Sequence, residues 1–512
     1  MSPKGETDAM STREQPRRPL LLRIWGHLRP AISFIPNLLS RSPSSLITIL
    51  VPVSNSKPAS QEFQRYGLDT NDKVKIIHYG AKENAKEIAY TKGNELVVQI
   101  RELIGAIGAN YGKILKCEPV HDTLLEKDVE THPITPHVAI TSITTTQFTV
   151  PICEKINKEL QKDVKLALWT PTGVEHAAWV MCNLPEGETY RERAKRIFEA
   201  PDEEKKKVYN EVLGENEEVV NVPGAAPIYT YEAQPNRNDT FFRIVYPILP
   251  ILPRVTMIHP YPAFLGQKYK KAAEESGYDV LQIGQQIPAD PQIGLPDGPL
   301  KQFLDEALEE KGKDSVIYIS FGTLYFAPSL EQLSILLDVL ISLDKRFILS
   351  LGIASPDIQT MVKDKFDSNG QGKGIYVDWA PQLSVLKHEA TGWFLTHGGA
   401  NSVIEAMRAR TPMLFWPADI DQVWISNAFS RIHQAGYEFL QIRNGPNIGR
   451  KTYTGVKVEG TKQAIQNEFT FVFSSLEDKE FGGKWREGVE ELGRKMEDDS
   501  AAEEDWRKLV DL

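Results

Sequence analysis

Cysteine is scarce in this chain, with only Cys117, Cys153 and Cys182 among 512 residues. Three is a poor number for a disulfide framework, and their spacing fits no metal motif. A reducing, cytoplasmic setting is expected, in which the Asn238-Asp239-Thr240 sequon is accidental. An excess of positive charge is also missing. The formal net charge is -10, which argues against sequence-independent nucleic-acid binding, since that needs a basic footprint. No apolar h-region of signal-peptide type precedes the first expected strand, and residues 1–18 are polar. A membrane span is lacking too. The most apolar long stretch, Phe241 to Ile258, is broken by Pro247, Pro250 and Pro253 and carries Arg243 and Arg254. A span needs about 20 largely uncharged residues. This stretch suits a buried wall or a surface-associated segment, so peripheral membrane contact stays open. No repeat of solenoid period is present.

What is there is long and ordinary in composition. A hydrophobic content of 41% fits a soluble globular protein, and 512 residues exceed one core, so two or three domains are expected. Short apolar runs alternate with helical patterns. Strands are expected at Leu20 to Trp25, Leu46 to Val53, His137 to Ile143 and Val164 to Trp169. Gly26-His27 reads as a turn, with a helix from Pro30 to about Ser40. Glu95 to Tyr111 places Leu96, Ile100, Leu103, Ile104 and Ile107 at helical spacing. Another helix is expected near Ile152 to Gln161. The charged stretch Ala200 to Val219 reads as a solvated helix face, and Val219 to Asn238 as loop. Ile287 to Gly298, rich in proline, reads as a linker. Beyond it come strands at Val316 to Phe321, Phe347 to Leu351, Gly374 to Val377, Gly392 to Leu395 and Met413 to Trp416. Helices are expected at Leu330 to Ser342, Lys484 to Met496 and Ala502 to Val510. Such alternation predicts an α/β fold of parallel strands with crossover helices. The chain divides into a disordered tail (1–18), an acceptor-binding half (19–286), a linker (287–300), a nucleotide-binding half (301–483) and closing helices (484–512). Those last helices are expected to return towards the first half. Ligands in such sheets bind beyond the carboxyl ends of strands, so two facing halves would enclose a cleft.

The segment Trp379 to Gln422 carries the most chemistry. Trp379 follows a strand and precedes Pro381, which favours an exposed indole able to stack on a flat base over a core tryptophan. Thr396-His397-Gly398-Gly399-Ala400-Asn401-Ser402 is strand, turn and helix start. Its glycines let backbone approach a ligand. Asn401 or Ser402 could cap the helix, and free N–H groups there point at an anion. His397 could donate to a phosphate oxygen. Glu405 shares the face of Asn401 and Ser402, about 6 Å along the axis, a sensible distance from a phosphate to ribose hydroxyls. Alone, such a residue would read as a solvated helical glutamate. Val403, Ile404 and Met407 read as core. Asp421 and Gln422, after an apolar strand, suit sugar hydroxyls. Asp419-Ile420-Asp421 looks like a metal-binding pair, but a hard cation wants more oxygen ligands. No metal is expected.

With these residues in view, Trp379 to Gln422 closely resembles the 44-residue signature box of the UDP-glycosyltransferase superfamily, the plant secondary-product type and its animal and fungal relatives. The W-x-P-Q opening, the H-x-G-x-N-S core, Glu405 and the closing Asp421-Gln422 all fall on family positions. The resemblance implies a GT-B fold, two facing Rossmann-like domains with an interdomain cleft, and inverting transfer from a UDP-sugar co-substrate, with no other cofactor. It implies that Trp379 stacks on uracil while Ala380 and Gln382 help to fix the nucleotide. His397, Gly399, Asn401 and Ser402 would face the diphosphate, Glu405 the ribose, and Asp421 and Gln422 the sugar. Ser320-Phe321-Gly322-Thr323 is similar to the family's other phosphate-facing loop, with Thr323 the contact. The closing glutamine favours UDP-glucose.

Trp25-Gly26-His27-Leu28-Arg29-Pro30 resembles the family's amino-terminal G-H-x-x-P, which makes His27 the general base. The positive end of a helix disfavours its protonated form, so it could take an acceptor's proton. The family's orienting Asp is replaced by Ser142 in Val138-Ala139-Ile140-Thr141-Ser142. Asp122 or Glu175 could substitute in space. The leading reading is an active transferase on a small lipophilic acceptor, whose pocket the stretch from Phe241 could line. Against it stand a UDP-sugar-binding protein without turnover and an epimerase on the same scaffold.

Overall fold

The computed structural model describes residues 25–80, 95–184, 189–214, 216–233, 246–286, 294–322, 328–352, 354–370, 372–498 and 500–512, with the side chains of 25–27, 95–104, 144, 214 and 369 set aside. In the carboxy-terminal half, the strand-like runs are apolar at successive positions rather than at alternate ones. Val316, Ile317, Tyr318 and Ile319 are all buried. Neighbouring side chains point to opposite faces of a strand, so such a run belongs in a sheet covered on both sides, as parallel sheets are. That arrangement is what forms. Val316 and Tyr318 join one core with Val403, Ile404 and Met407. Ile317 and Ile319 join another with Leu333, Leu336 and Phe469.

In the amino-terminal half, a first helix, α1 (Trp25–Arg41), precedes a parallel pair, β1 (Ile47–Pro52) and β2 (Val74–Tyr79). Four parallel strands follow: β3 (Val138–Ser142), β4 (Lys165–Trp169), β5 (Thr256–His259) and β6 (Asp279–Gln282), in the order β6-β5-β4-β3. Helix α2 (Val174–Met181) leaves β4. The other half holds β7 (Val316–Ser320), β8 (Arg346–Ser350), β9 (Gly374–Val377), β10 (Thr391–Thr396), β11 (Met413–Phe415) and β12 (Gly436–Glu438). These form a six-stranded parallel sheet in the order β9-β8-β7-β10-β11-β12. Three short helices open at its carboxyl ends: α3 (Gln382–Leu386), α4 (Ala400–Ala409) and α5 (Asp421–Asn427). Helix α6 (Gly482–Lys495) packs on this half, with Arg410 paired to Glu490 at 2.8 Å. Helix α7 (Glu503–Val510) crosses to the other sheet. There Asp505 accepts from the backbone N–H of Gln282 at 2.8 Å, and Trp506 stacks on Phe34 with ring centroids 5.5 Å apart.

Several expectations are corrected. Trp25, Gly26 and His27 lie inside α1, not in a strand and turn; Leu20 to Ile24 and the tail 1–18 lie outside the described residues. Helix α1 runs through Pro30 and Pro36. Each proline removes a backbone donor, but burial of Ile32, Phe34 and Ile35 compensates. Such tertiary packing overrides local propensity. The helix expected from Ile152 begins at Thr146 and carries Pro151, with Thr146, Thr149 and Val150 buried. The expected loop from Val219 contains a short antiparallel pair, Val219–Val220 with Ile228–Tyr229. The helix Glu95–Leu115 outruns the expected span by one turn. Residues 287–293 of the linker lie outside the described residues. So do 241–245 of the apolar stretch; beyond them Ile248, Leu249, Ile251 and Leu252 are buried in the first core, so this part is a wall. No described helix is long and apolar enough to cross a membrane.

Candidate active site

The site starts where β7 and β10 end side by side, with Ser320 paired to Thr396. The chain leaves β7 through Phe321 and Gly322 and leaves β10 through His397, Gly398 and Gly399. The buried His397 ring is held between two glycines. A Cβ on Gly322 would stand 2.8 Å from its Nε2, and one on Gly399 would stand 2.4 Å away. Only glycine leaves room at these positions, and Gly322 also has φ +79°. Burial pushes the His397 pKa down to about 4, although a hydrogen bond with the Ser320 backbone opposes the shift. The ring is therefore neutral at physiological pH and can donate from one nitrogen only.

Helix α4 opens immediately after this turn. Its N-cap is Gly399, with no side-chain cap. The expectation that Asn401 or Ser402 caps the helix is thus corrected: both lie in its first turn, with helical backbone. The first N–H groups of a helix have no partner within it and point towards an anion placed at that end. One turn on, Glu405 is 1% exposed. It is not a solvated surface glutamate, because its apolar neighbours Val403, Ile404 and Met407 draw the whole turn inward. Gln382, at the start of α3, donates to Glu405 Oε2 at 2.6 Å and to Ser402 Oγ at 3.2 Å. Arg29 of α1 donates to Glu405 Oε1 at 2.5 Å. Trp379 is 69% exposed, which excludes the core reading, while Ala380 behind it is buried. Thr323 lies outside the described residues.

Asp421 begins α5 and faces the amino-terminal half, where its Oδ2 accepts from the backbone N–H of Gly173 at 3.0 Å. Gly173 is tight: a Cβ there would stand 2.6 Å from Ile425 Cγ1. Burial pushes the Asp421 pKa up to about 6. Gln422 Oε1 accepts from the backbone of Ala418 and Asp419 at 2.8 and 3.3 Å. Between them Ile420 has φ +60°. That is rare for a β-branched residue, and such strain collects at functional turns. The Asp419 carboxylate accepts from the Ile420 N–H at 2.8 Å, so this pair of aspartates caps backbone.

On the other half, α1 carries His27, whose side chain is outside the described set. Ser142 ends β3, opposite Trp169 of β4, and its carbonyl accepts from the Thr145 and Thr146 hydroxyls, both at 3.1 Å. Of the two substitutes for the missing aspartate, Asp122 is committed elsewhere. Its Oδ2 accepts from the backbone N–H of His78 and contacts His78 Nδ1, both at 2.8 Å, and its Oδ1 accepts from the Leu125 N–H. Glu175 is completely buried in α2, and among the described residues no other residue hydrogen-bonds its carboxylate. Burial, reinforced by the charge of Asp421, pushes its pKa up to about 8. Its electrostatic neighbours are thus Asp421 and Tyr261, on the sugar side of the expected site.

The motif residues Gln382, His397, Gly399, Ser402 and Glu405 converge at the carboxyl ends of β7 and β10. Three contributions escaped the sequence reading: Arg29, Gly173 and the nearness of Glu175 to Asp421. Arg29 had a signal, as a charged residue beside Leu28 among the apolar residues of α1. The others depend on contacts between distant segments.

Known proteins agree with this geometry. Residues 290–440 match the family model described as UDP-glucoronosyl and UDP-glucosyl transferase. A relative along most of the chain is the UDP-glycosyltransferase eriJ of Hericium erinaceus, 24% identical over 490 residues, covering 88% of each protein. A UDP-glucose flavonoid 3-O-glucosyltransferase of Fragaria ananassa is 32% identical over 205 residues, 38% of this chain and 41% of its own length. Among solved structures, a Medicago truncatula enzyme complexed with UDP-glucose superposes with a TM-score of 0.64 at 18% identity, covering 95% of both chains. A Phytolacca americana enzyme complexed with UDP-2fluoro-glucose and pterostilbene gives 0.60 at 19%, covering 92% and 91%. These superpositions establish the expected GT-B fold. Residues 290–440 thus match the UDP-glycosyltransferase family, and sequence motif, site geometry and relatives agree on an enzyme that transfers sugar from a UDP-sugar.

Proposed function

We propose that the enzyme moves glucose from UDP-glucose to a hydroxyl of a small lipophilic acceptor, with inversion at the anomeric carbon. The observation that carries this reading is the amino end of α4. It has no side-chain cap, stands beside a neutral imidazole and is followed one turn later by a buried carboxylate. In this reading Trp379 stacks on uracil, with the Ala380 backbone beside it. Gln382 fixes Glu405 for the ribose. His397, Gly399, Asn401, Ser402 and Thr323 meet the diphosphate, and Asp421 and Gln422 meet the sugar.

His27 lies in the first turn of α1, where the helix dipole favours a neutral ring. It takes the proton of the acceptor hydroxyl as that oxygen attacks the anomeric carbon. The bond from that carbon to the diphosphate oxygen breaks. UDP leaves with its charge held by the N–H groups of α4 and by His397. Attack opposite the leaving group inverts the centre. Ser142 orients His27 at the family's aspartate position.

Glucose leads because Gln422 closes the motif, and because the strawberry relative is named for UDP-glucose and the Medicago structure holds it. A small lipophilic acceptor is favoured because the Phytolacca structure holds pterostilbene together with UDP-2fluoro-glucose, and small-molecule sites are mostly apolar. Three unbonded cysteines favour a reducing compartment such as the cytoplasm. The test is a panel of sterol, phenolic, hydroxy-fatty-acid and polyketide acceptors with UDP-glucose, UDP-glucuronate and UDP-N-acetylglucosamine, read by mass spectrometry. The expected product gains a hexose mass from UDP-glucose. Transfer from UDP-glucuronate alone would overturn the glucose assignment.

A further inference from the structure

Glu405 is buried on one half of the molecule, yet its cation comes from the other half. Arg29 sits two residues after His27 on α1 and donates Nη1 to Glu405 Oε1 at 2.5 Å. Behind it, Arg29 Nε lies 3.7 Å from Glu62, but Glu62 has a cation of its own in Arg65 at 2.9 Å. Tyr66 flanks Arg29, and Tyr318 of β7 faces Glu405. A buried carboxylate without a partner is costly. A lysine or arginine on the nucleotide half could have met that need; here the helix bearing His27 meets it.

We propose that Arg29 is a positioning residue that links nucleotide uptake to placement of the base. The inference rests on the reading of Glu405 as the ribose partner. Each carboxylate oxygen has two lone pairs. Oε1 can therefore accept from Arg29 and from a ribose hydroxyl together, and the ion pair stays in place when the nucleotide enters. Two effects follow. The guanidinium offsets the repulsion between Glu405 and a diphosphate at the α4 terminus, about 6 Å along the helix axis. It also ties α1 to α4, so the segment bearing His27 is held against the helix that grips the donor. The Arg29 side chain is 27% exposed, so the link is not sealed into a core.

The test is UDP calorimetry and initial rates on the full chain, using wild type, Arg29→Ala, Arg29→Lys, Glu405→Gln and the double variant Arg29→Ala/Glu405→Gln. Circular dichroism checks each fold, and Arg29→Gln replaces Arg29→Ala if that variant does not fold. Arg29→Ala is expected to weaken UDP binding about tenfold, as loss of a hydrogen bond to a charged group does, and to lower kcat as well. Arg29→Lys should recover most of both. The double variant should bind UDP no more weakly than Glu405→Gln alone. UDP binding by Arg29→Ala as tight as wild type, or losses that add in the double variant, would overturn the link. Failure of the ribose reading looks different: Glu405→Gln would then keep wild-type affinity, and the inference would fall with it.

Discussion

Two of the arginines that join the halves of this molecule, Arg443 and Arg29, do so in opposite ways. Arg443 lies in the interior with Glu232 at 3.0 Å and Glu438 at 2.6 Å, and all three side chains are at most 4% exposed. Glu232 comes from the amino-terminal half and also accepts from the N–H of Tyr229 and Tyr453. Arg29 pairs with Glu405 at 2.5 Å but is 27% exposed and borders the motif residues. The first network is enclosed, and its partners are all protein. The second lies beside Gln382 and Ser402 of the motif. An ion pair between two lobes is therefore no sign of function by itself. Its position relative to the strand ends, and its access to the cleft, decide the role.

That contrast can be broken experimentally, and the largest effect should come from the enclosed network. Arg443→Met leaves buried Glu438 without its cation and Glu232 with only Arg431, 4.0 Å away. It should reduce stability by about 3–5 kcal/mol, measured by denaturant unfolding, whereas Arg29→Ala should cost less, since it bares one carboxylate that Gln382 still bonds at 2.6 Å. Equal losses would erase the distinction. Next comes Glu175, whose pKa rises from an ordinary 4.5 to about 8. The folded state thus keeps a proton that the unfolded chain releases across this window. The stabilising contribution is whole below the lower value and is lost as pH rises through the upper one. Glu175→Gln cannot ionise. It should raise the melting temperature at about pH 8.5 more than at about pH 5. An equal change at both would contradict an orphaned carboxyl. The smallest effect on stability, but a clear one on binding, is expected at exposed Trp379. Trp379→Ala should leave the melting temperature unchanged and weaken UDP binding by about 1–3 kcal/mol in calorimetry, the worth of one base stacked on an aromatic ring. Unaltered affinity would remove Trp379 from the site.

The two halves also differ in how well the sequence announces them. In the carboxy-terminal half, β7, β10 and β11 are short, apolar on both faces and bounded by turns, so local pattern and final burial coincide. His397 and Glu405 follow the end of β10 and Gln382 follows β9, which made the three legible together. In the amino-terminal half, α1 was misread at its start because two prolines masked a helix whose buried face holds it together. The turn at Gly26-His27 disappeared for the same reason. Arg29, Gly173 and Glu175 gain meaning only from Glu405 and Asp421, which lie hundreds of positions away in the chain. Local periodicity carries no information about that meeting.

The central claim is that one half grips UDP while His27, from the other, deprotonates the acceptor. His27→Ala, assayed for acceptor-dependent UDP release from UDP-glucose beside calorimetry of UDP, addresses it most directly. Turnover should fall by about 10²–10⁴, the usual worth of a general base, while UDP affinity stays at the wild-type value. Undiminished turnover in that variant would contradict the account.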